Sequence, residues 1–143
     1  MRKAASSRWS AETEIEVQFF DLDPMQIVWH GNYVKYLEVA RCALLDTIGY
    51  NYMDMKASGY MWPVIDLSLR YVGSATFGQR IKVHAAIVEW ENRLKIDYLI
   101  TESATGKRLT RASTTQVAVD LDSGEMLFVS PPVLLEKLGV APV

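Results

Sequence analysis

The sequence predicts an α+β domain in which an antiparallel sheet wraps around one long helix. Three observations carry this. The chain alternates apolar and polar residues from Thr13 in the manner of a half-buried strand, and residues 32–48 carry the one long apolar stripe at helical spacing. Further along, four more alternating segments are joined by hairpin turns. A sheet with a single helix to cover it has to curl around that helix. A chain of 143 residues is one domain's worth. The expected organisation is a flexible arm over residues 1–12, polar and small, followed by a single domain over residues 13–143.

Each element has its own signal. The first strand sets Ile15, Val17 and Phe19 on one face and Glu14, Glu16 and Gln18 on the other, and it stops at Asp23-Pro24 because proline cannot donate to a ladder. A short apolar turn and His30-Gly31 lead to Asn32, which reads as the helix N-cap. Tyr33, Leu37, Ala40, Leu44 and Ile48 form the apolar stripe, Glu38 and Arg41 stand three apart where they can pair, and Gly49 ends the helix. Residues 51–60 read as a mobile stretch. Strands follow over 63–72, 79–91, 94–100 and 108–120, turning at Glu91-Asn92-Arg93 and Thr105-Gly106-Lys107. Pro131-Pro132 then introduces a short helix over 133–138.

Composition excludes several classes. Fifteen basic against seventeen acidic residues leave a net charge of −2, without the basic excess of a nucleic-acid binder. No apolar run reaches the roughly 18 residues of a membrane span, and the basic N-terminus has no apolar segment behind it to make a secretory signal. A single cysteine, Cys42, forbids an internal disulfide and fits a reducing, cytoplasmic compartment. No G-x-S-x-G elbow, dinucleotide fingerprint or zinc spacing occurs, and residues 73–80, GSATFGQR, lack the Lys-Ser/Thr of a phosphate loop. No cofactor and no metal is expected.

The chemistry gathers in residues 19–41. Asp21 and Asp23 lie at a strand end, and His30 stands just before a helix start, where unpaired N–H groups and a partial positive charge can hold a developing oxyanion. A carboxylate at that mouth can attack a carbonyl or activate water. A thioester suits such equipment, because it is more electrophilic than an amide and its thiolate leaves without a strong acid. Turn chemistry before proline also explains both aspartates, and from residue types alone it is the better reading. The trio Asp21, Asp23 and His30 matches no closed metal pattern. His84 reads as a structural mid-strand histidine and Cys42 as buried and inert. Arg80, Lys82, Arg93, Lys95, Lys107 and Arg108 sit near hairpins, solvated or placed to meet the phosphates of a nucleotide tail.

The run from Asp21 to Arg41, DLDPMQIVWHGNYVKYLEVAR, resembles the opening of the 4-hydroxybenzoyl-CoA thioesterase-like family of hotdog-fold acyl-CoA thioesterases, whose pattern is roughly D-x-D-x-x-G-x-V-x-H-x-x-Y-x-x-Y-x-E-x-A-R. The likeness continues through Pro63, residues 67–71 and Ala75-Thr76-Phe77-Gly78, spanning about residues 13–120. It implies a hotdog fold and hydrolysis of an acyl thioester, acyl-CoA or acyl-carrier protein, to free acid and thiol. It implies Asp23 as the catalytic carboxylate, as nucleophile or general base, and His30 as its helper. Backbone N–H groups around His30 and Gly31 would hold the thioester oxygen, with Asn32 and Tyr33 positioning the helix end. It also implies a homodimer or homotetramer with sites at the subunit interface.

Three departures stand out: Phe19 where many relatives have tyrosine, Gln26 in place of the pattern's glycine, and Gln79 in place of an aspartate. They bear on substrate preference more than on reaction class. Two alternatives stay open, a hydroxyacyl-thioester hydratase or dehydratase and a non-catalytic acyl-thioester binder. The hydratase motif H-F-P-x-x-P-x-x-P-G is absent. The acyl chain, the carrier and the choice between covalent and water-mediated attack are not legible in residue types.

Overall fold

A computed structural model describes residues 8–141. Among these, β1 (Ser10–Glu16) is followed by a 3-10 turn at Phe19–Asp21, then α1 (Asn32–Thr47) and α2 (Tyr52–Ala57). Next come β2 (Tyr60–Met61), β3 (Val64–Tyr71), β4 (Arg80–Glu89), β5 (Leu94–Glu102), β6 (Arg108–Gln116) and β7 (Val119–Asp120), with α3 (Pro132–Leu138) last. Five strands form one antiparallel sheet in the order β1-β4-β5-β6-β3, and β2 pairs with β7 in a second, two-stranded sheet.

The inner face of the large sheet carries Ile81, Val83, Ala85 and Ile87 of β4 and Leu94, Ile96, Tyr98 and Ile100 of β5, all buried in one core with Leu37, Ala40, Leu44 and Leu45 of α1. The period of two on the strands and of 3.6 on the helix meet there. Along the sheet, α1 packs over β1 and β4. The far end is different. β3 is an edge strand, hydrogen-bonded on one side to β6, and its Val64, Ile65, Leu67 and Tyr71 are 40 to 51% exposed.

Several expectations are corrected by tertiary pairing. Residues 1–7 of the expected arm lie outside the described residues, whereas Ser10, Ala11 and Glu12, assigned to the same arm, pair with Ala86, Ala85 and His84 in β1. β1 also ends earlier than expected. The Asp21 carboxylate accepts the Gln18 N–H at 2.9 Å and pulls the chain into a turn, so Phe19 is exposed instead of facing inward beside Val17. The stretch 51–60 contains α2, capped by Asn51 and Asp54 and anchored by buried Met55. The long final strand breaks after Gln116, and residues 119–120 leave the large sheet to pair with β2. Asn32 is the first residue of α1 with Gly31 as its N-cap, because the Asn32 amide turns back to the Asp21 carbonyl at 2.8 Å. Gly49, at φ 69°, ends α1 as expected.

Candidate active site

The segment between β1 and α1 is tied down at each step. Asp21 is buried, and its Oδ2 accepts both the Gln18 N–H and the Tyr36 hydroxyl, each at 2.9 Å. Burial and the neighbouring carboxylate push the Tyr36 phenol well above its ordinary value. The Asp21 carbonyl accepts the Trp29 N–H at 2.9 Å in addition to the Asn32 amide. Asp21 is therefore a clamp that fixes the approach to α1.

Asp23 heads a tight turn. Its N–H donates to the Ile27 carbonyl at 2.8 Å, its carbonyl accepts the Gln26 N–H at 2.9 Å, and its Oδ1 accepts the Met25 N–H at 2.8 Å. This is the Asx-turn that residue types favoured, and it uses one carboxylate oxygen. Among the described residues Oδ2 has no hydrogen-bond partner. Gln26 closes the turn at φ 63°, the left-handed region where glycine is favoured, which gives the departure from the family pattern a conformational meaning.

A cavity of about 180 Å³ opens at the start of α1. Asp23, His30, Tyr33, Tyr71, Gly73 and Ser74 line it, with an apolar wall from Ile27 and Val28. His30 is exposed and packs between Trp29 and Tyr71, with ring centroids 5.2 and 6.4 Å away. Gly31 has no room for a side chain, since a Cβ there would fall 2.3 Å from the Trp29 ring. Val28 donates its N–H to Ala75 and Trp29 its N–H to Asp21, whereas the N–H groups of His30 and Gly31 have no acceptor among the described residues. These two N–H groups stand at the start of a 16-residue helix, the end that carries its partial positive charge.

The remaining expected residues sort clearly. Tyr33 lines the cavity, and its hydroxyl accepts the Ala75 N–H at 3.2 Å, fastening the 74–78 loop; burial raises its phenol pKa. Asn32 holds Asp21 and does not line the cavity. Asp21 belongs to the scaffold. Glu38 pairs with Arg41, as expected, and the buried Arg41 also donates through Nε to the Tyr52 hydroxyl at 3.0 Å. His84 is half-buried in β4, 3.7 Å from the Glu12 carboxylate. Cys42 is half-buried and not fully enclosed, its Sγ 3.9 Å from Asn51 Oδ1. Residue types alone do not reveal Tyr71. Its one signal is its place on the same face of a strand as Leu67 and Leu69.

Wider cavities exist, including one of about 500 Å³ bordered by Arg70, Lys95, Asp97 and Arg111. Chemistry, not size, selects the mouth of α1.

Comparisons with known proteins bear on the family and the fold. A family model described as the thioesterase-like superfamily matches residues 17–138. The Bacillus subtilis protein named "Putative acyl-CoA thioesterase YneP" is 30% identical over 113 residues, covering 79% of this chain and 82% of that protein. A Synechocystis protein with the name "Putative esterase" is 32% identical over 137 residues, covering 95% and 82%. A crystal structure of a DHNA-CoA thioesterase from Staphylococcus aureus superposes with a TM-score of 0.80 at 28% identity, covering 91% of this chain and 89% of that one.

Proposed function

This chain belongs to the thioesterase-like superfamily and has its hotdog fold, and from that premise we propose that it is an acyl-CoA thioesterase working at the mouth of α1 through Asp23. The observation that supports this most is the meeting of Asp23 and His30 in one cavity, at a helix start where the N–H groups of His30 and Gly31 have no acceptor among the described residues.

In this reading the thioester carbonyl oxygen lies against the two N–H groups, which stabilise the charge it gains as the carbon becomes tetrahedral. Oδ2 of Asp23 faces the acyl carbon or a water above it. If water attacks, Asp23 takes its proton; if the carboxylate attacks, an anhydride forms and water cleaves it next. On both routes the carbon–sulfur bond breaks and the thiolate departs, with His30 on the open side of the cavity to assist it. Acyl-CoA and acyl-carrier protein present the same thioester, so either carrier fits this chemistry.

The working unit in this reading is at least a homodimer. An eight-residue edge strand with an unpaired backbone and four exposed apolar side chains is an aggregation hazard unless it is covered. A second copy pairing along β3 covers it, and the site borders that seam because Tyr71, the last residue of β3, lines the cavity.

The test is thiol release from acetyl-, hexanoyl-, lauroyl- and benzoyl-CoA by the wild type and by Asp23→Asn. The expected result is turnover of at least one substrate and a loss of about 100-fold or more in the variant, the scale of a positioned acid–base group. Wild-type-like turnover by Asp23→Asn removes Asp23 from the mechanism. Consumption of crotonyl-CoA by hydration, without thiol release, points to the hydratase alternative.

A further inference from the structure

Tyr71 reaches across 41 positions of sequence to place its hydroxyl 2.7 Å from the His30 carbonyl oxygen. That carbonyl lies one residue outside α1, before the Gly31 N-cap, so no helix N–H is due to it: the Val34 N–H goes to Gly31 O at 3.3 Å, and the Tyr71 hydroxyl is the donor that the His30 oxygen accepts. The His30 C=O and the Gly31 N–H belong to one planar peptide unit. A donor on the oxygen fixes the plane, and so fixes the direction in which the Gly31 N–H points. It also draws electron density toward the oxygen, which makes the N–H on the other side of the unit a stronger donor, the cooperative effect of chained hydrogen bonds.

We propose that Tyr71 is a positioning residue for the oxyanion site, acting through the His30–Gly31 peptide to aim and polarise the Gly31 N–H. This rests on the thioesterase reading above and extends it to a side chain on a different element. The rest of the tyrosine's surroundings fit the role. Its ring lies edge-on to Tyr33 at 5.3 Å and to His30 at 6.4 Å, so the hydroxyl is held in place from two sides. The side chain is 45% exposed on the open edge, where it contributes little to the core, so packing alone does not explain the geometry of the hydroxyl. Tyr71 thereby fastens the helix mouth to the edge strand of the sheet.

Tyr71→Phe removes the hydroxyl and keeps the ring, which makes it the sharp test. With the best of the four acyl-CoA substrates, kcat is expected to fall about 2- to 10-fold, the fraction of an oxyanion donor's worth that polarisation carries, while KM stays within about twofold. A second readout responds to donor strength alone. In the Asp23→Asn background, which holds substrate unhydrolysed, the carbonyl stretch of bound benzoyl-CoA is lowered by the oxyanion donors, and adding Tyr71→Phe is expected to move it back toward the free value. An unchanged kcat and an unchanged carbonyl stretch overturn the proposal. A raised KM with kcat intact overturns it too, since Tyr71 is then a substrate contact. Failure of the wild type to release thiol from any of the four substrates overturns the thioesterase reading itself, a result separable from the other two.

Discussion

Replacing Asp21 and Asp23 by alanine, one at a time, separates a scaffold carboxylate from the one proposed to act on the thioester, two residues further on. Asp21 is buried and accepts two hydrogen bonds. Its removal strands the Tyr36 hydroxyl in a buried site, costing about 1.5–3 kcal/mol for a bond to a charged acceptor. The Gln18 N–H lies in an exposed residue and turns to water, so its loss adds only about 0.5–1 kcal/mol. The expected destabilisation of Asp21→Ala is therefore about 2–4 kcal/mol. Asp23→Ala gives up one bond, to the N–H of exposed Met25, and is expected to cost about 0.5–1 kcal/mol while lowering turnover about 100-fold. Urea unfolding followed by tryptophan fluorescence measures the first quantity, and thiol release measures the second. A double-mutant cycle of Asp21→Ala with Tyr36→Phe isolates the buried bond, and its coupling is expected at about 1–2 kcal/mol. The reasoning fails if Asp21→Ala stays within about 0.5 kcal/mol of the wild type, or if Asp23→Ala unfolds easily yet keeps its turnover.

Gln26 holds φ 63° with an exposed side chain, so Gln26→Gly is expected to stabilise the fold by about 0.5–1 kcal/mol after the glycine's extra unfolded-state entropy is counted; a lower urea midpoint contradicts this. Gly31→Ala forces the Trp29 ring off its seat beside His30, and turnover is expected to fall about 10- to 100-fold, with a change in tryptophan emission and the fold retained. Leu67→Lys puts a charge on the exposed inner face of β3, and sedimentation is expected to show a dimeric wild type becoming monomeric; a monomeric wild type refutes the edge-pairing proposal. Tyr33, Tyr36 and Tyr98 all have phenols raised above the ordinary value of 10.0, chiefly by burial. Their folded state holds its protons longer than the unfolded chain does. The stability they contribute is complete below about pH 10 and is lost as pH rises through their folded values. Thermal melts between about pH 9 and 11 are expected to fall steeply, and less steeply for Tyr98→Phe.

Much of the molecule is legible in local chain chemistry. The strand and helix periods, the Gly49 stop and the hairpin turns follow from residues a few positions apart, and the structure carries them at nearly the expected places. The nearness of Asp23 and His30 is equally local, since a tight turn and a helix approach stand seven residues apart. Residue types could not separate the two aspartates, because both precede the same proline and only burial beside Tyr36 makes Asp21 a clamp. They also could not show that α2 would order a stretch that looked mobile, since its hold comes from Met55 inserting into a distant core.

By itself, then, the sequence determined the class of fold, the long helix and the candidate loop at its start, because those depend on spacing and conformational preference within one segment. Tertiary structure alone decided which oxygen of which aspartate is free, that β3 stands at an open edge, and that Tyr71 meets the His30 carbonyl. Such meetings depend on the register of β3 on β6, shifted between Val64 and Asp66, and a one-residue slip would turn Tyr71 to the other face. That register is set by the packing of the whole sheet, not by any property of the residues that meet.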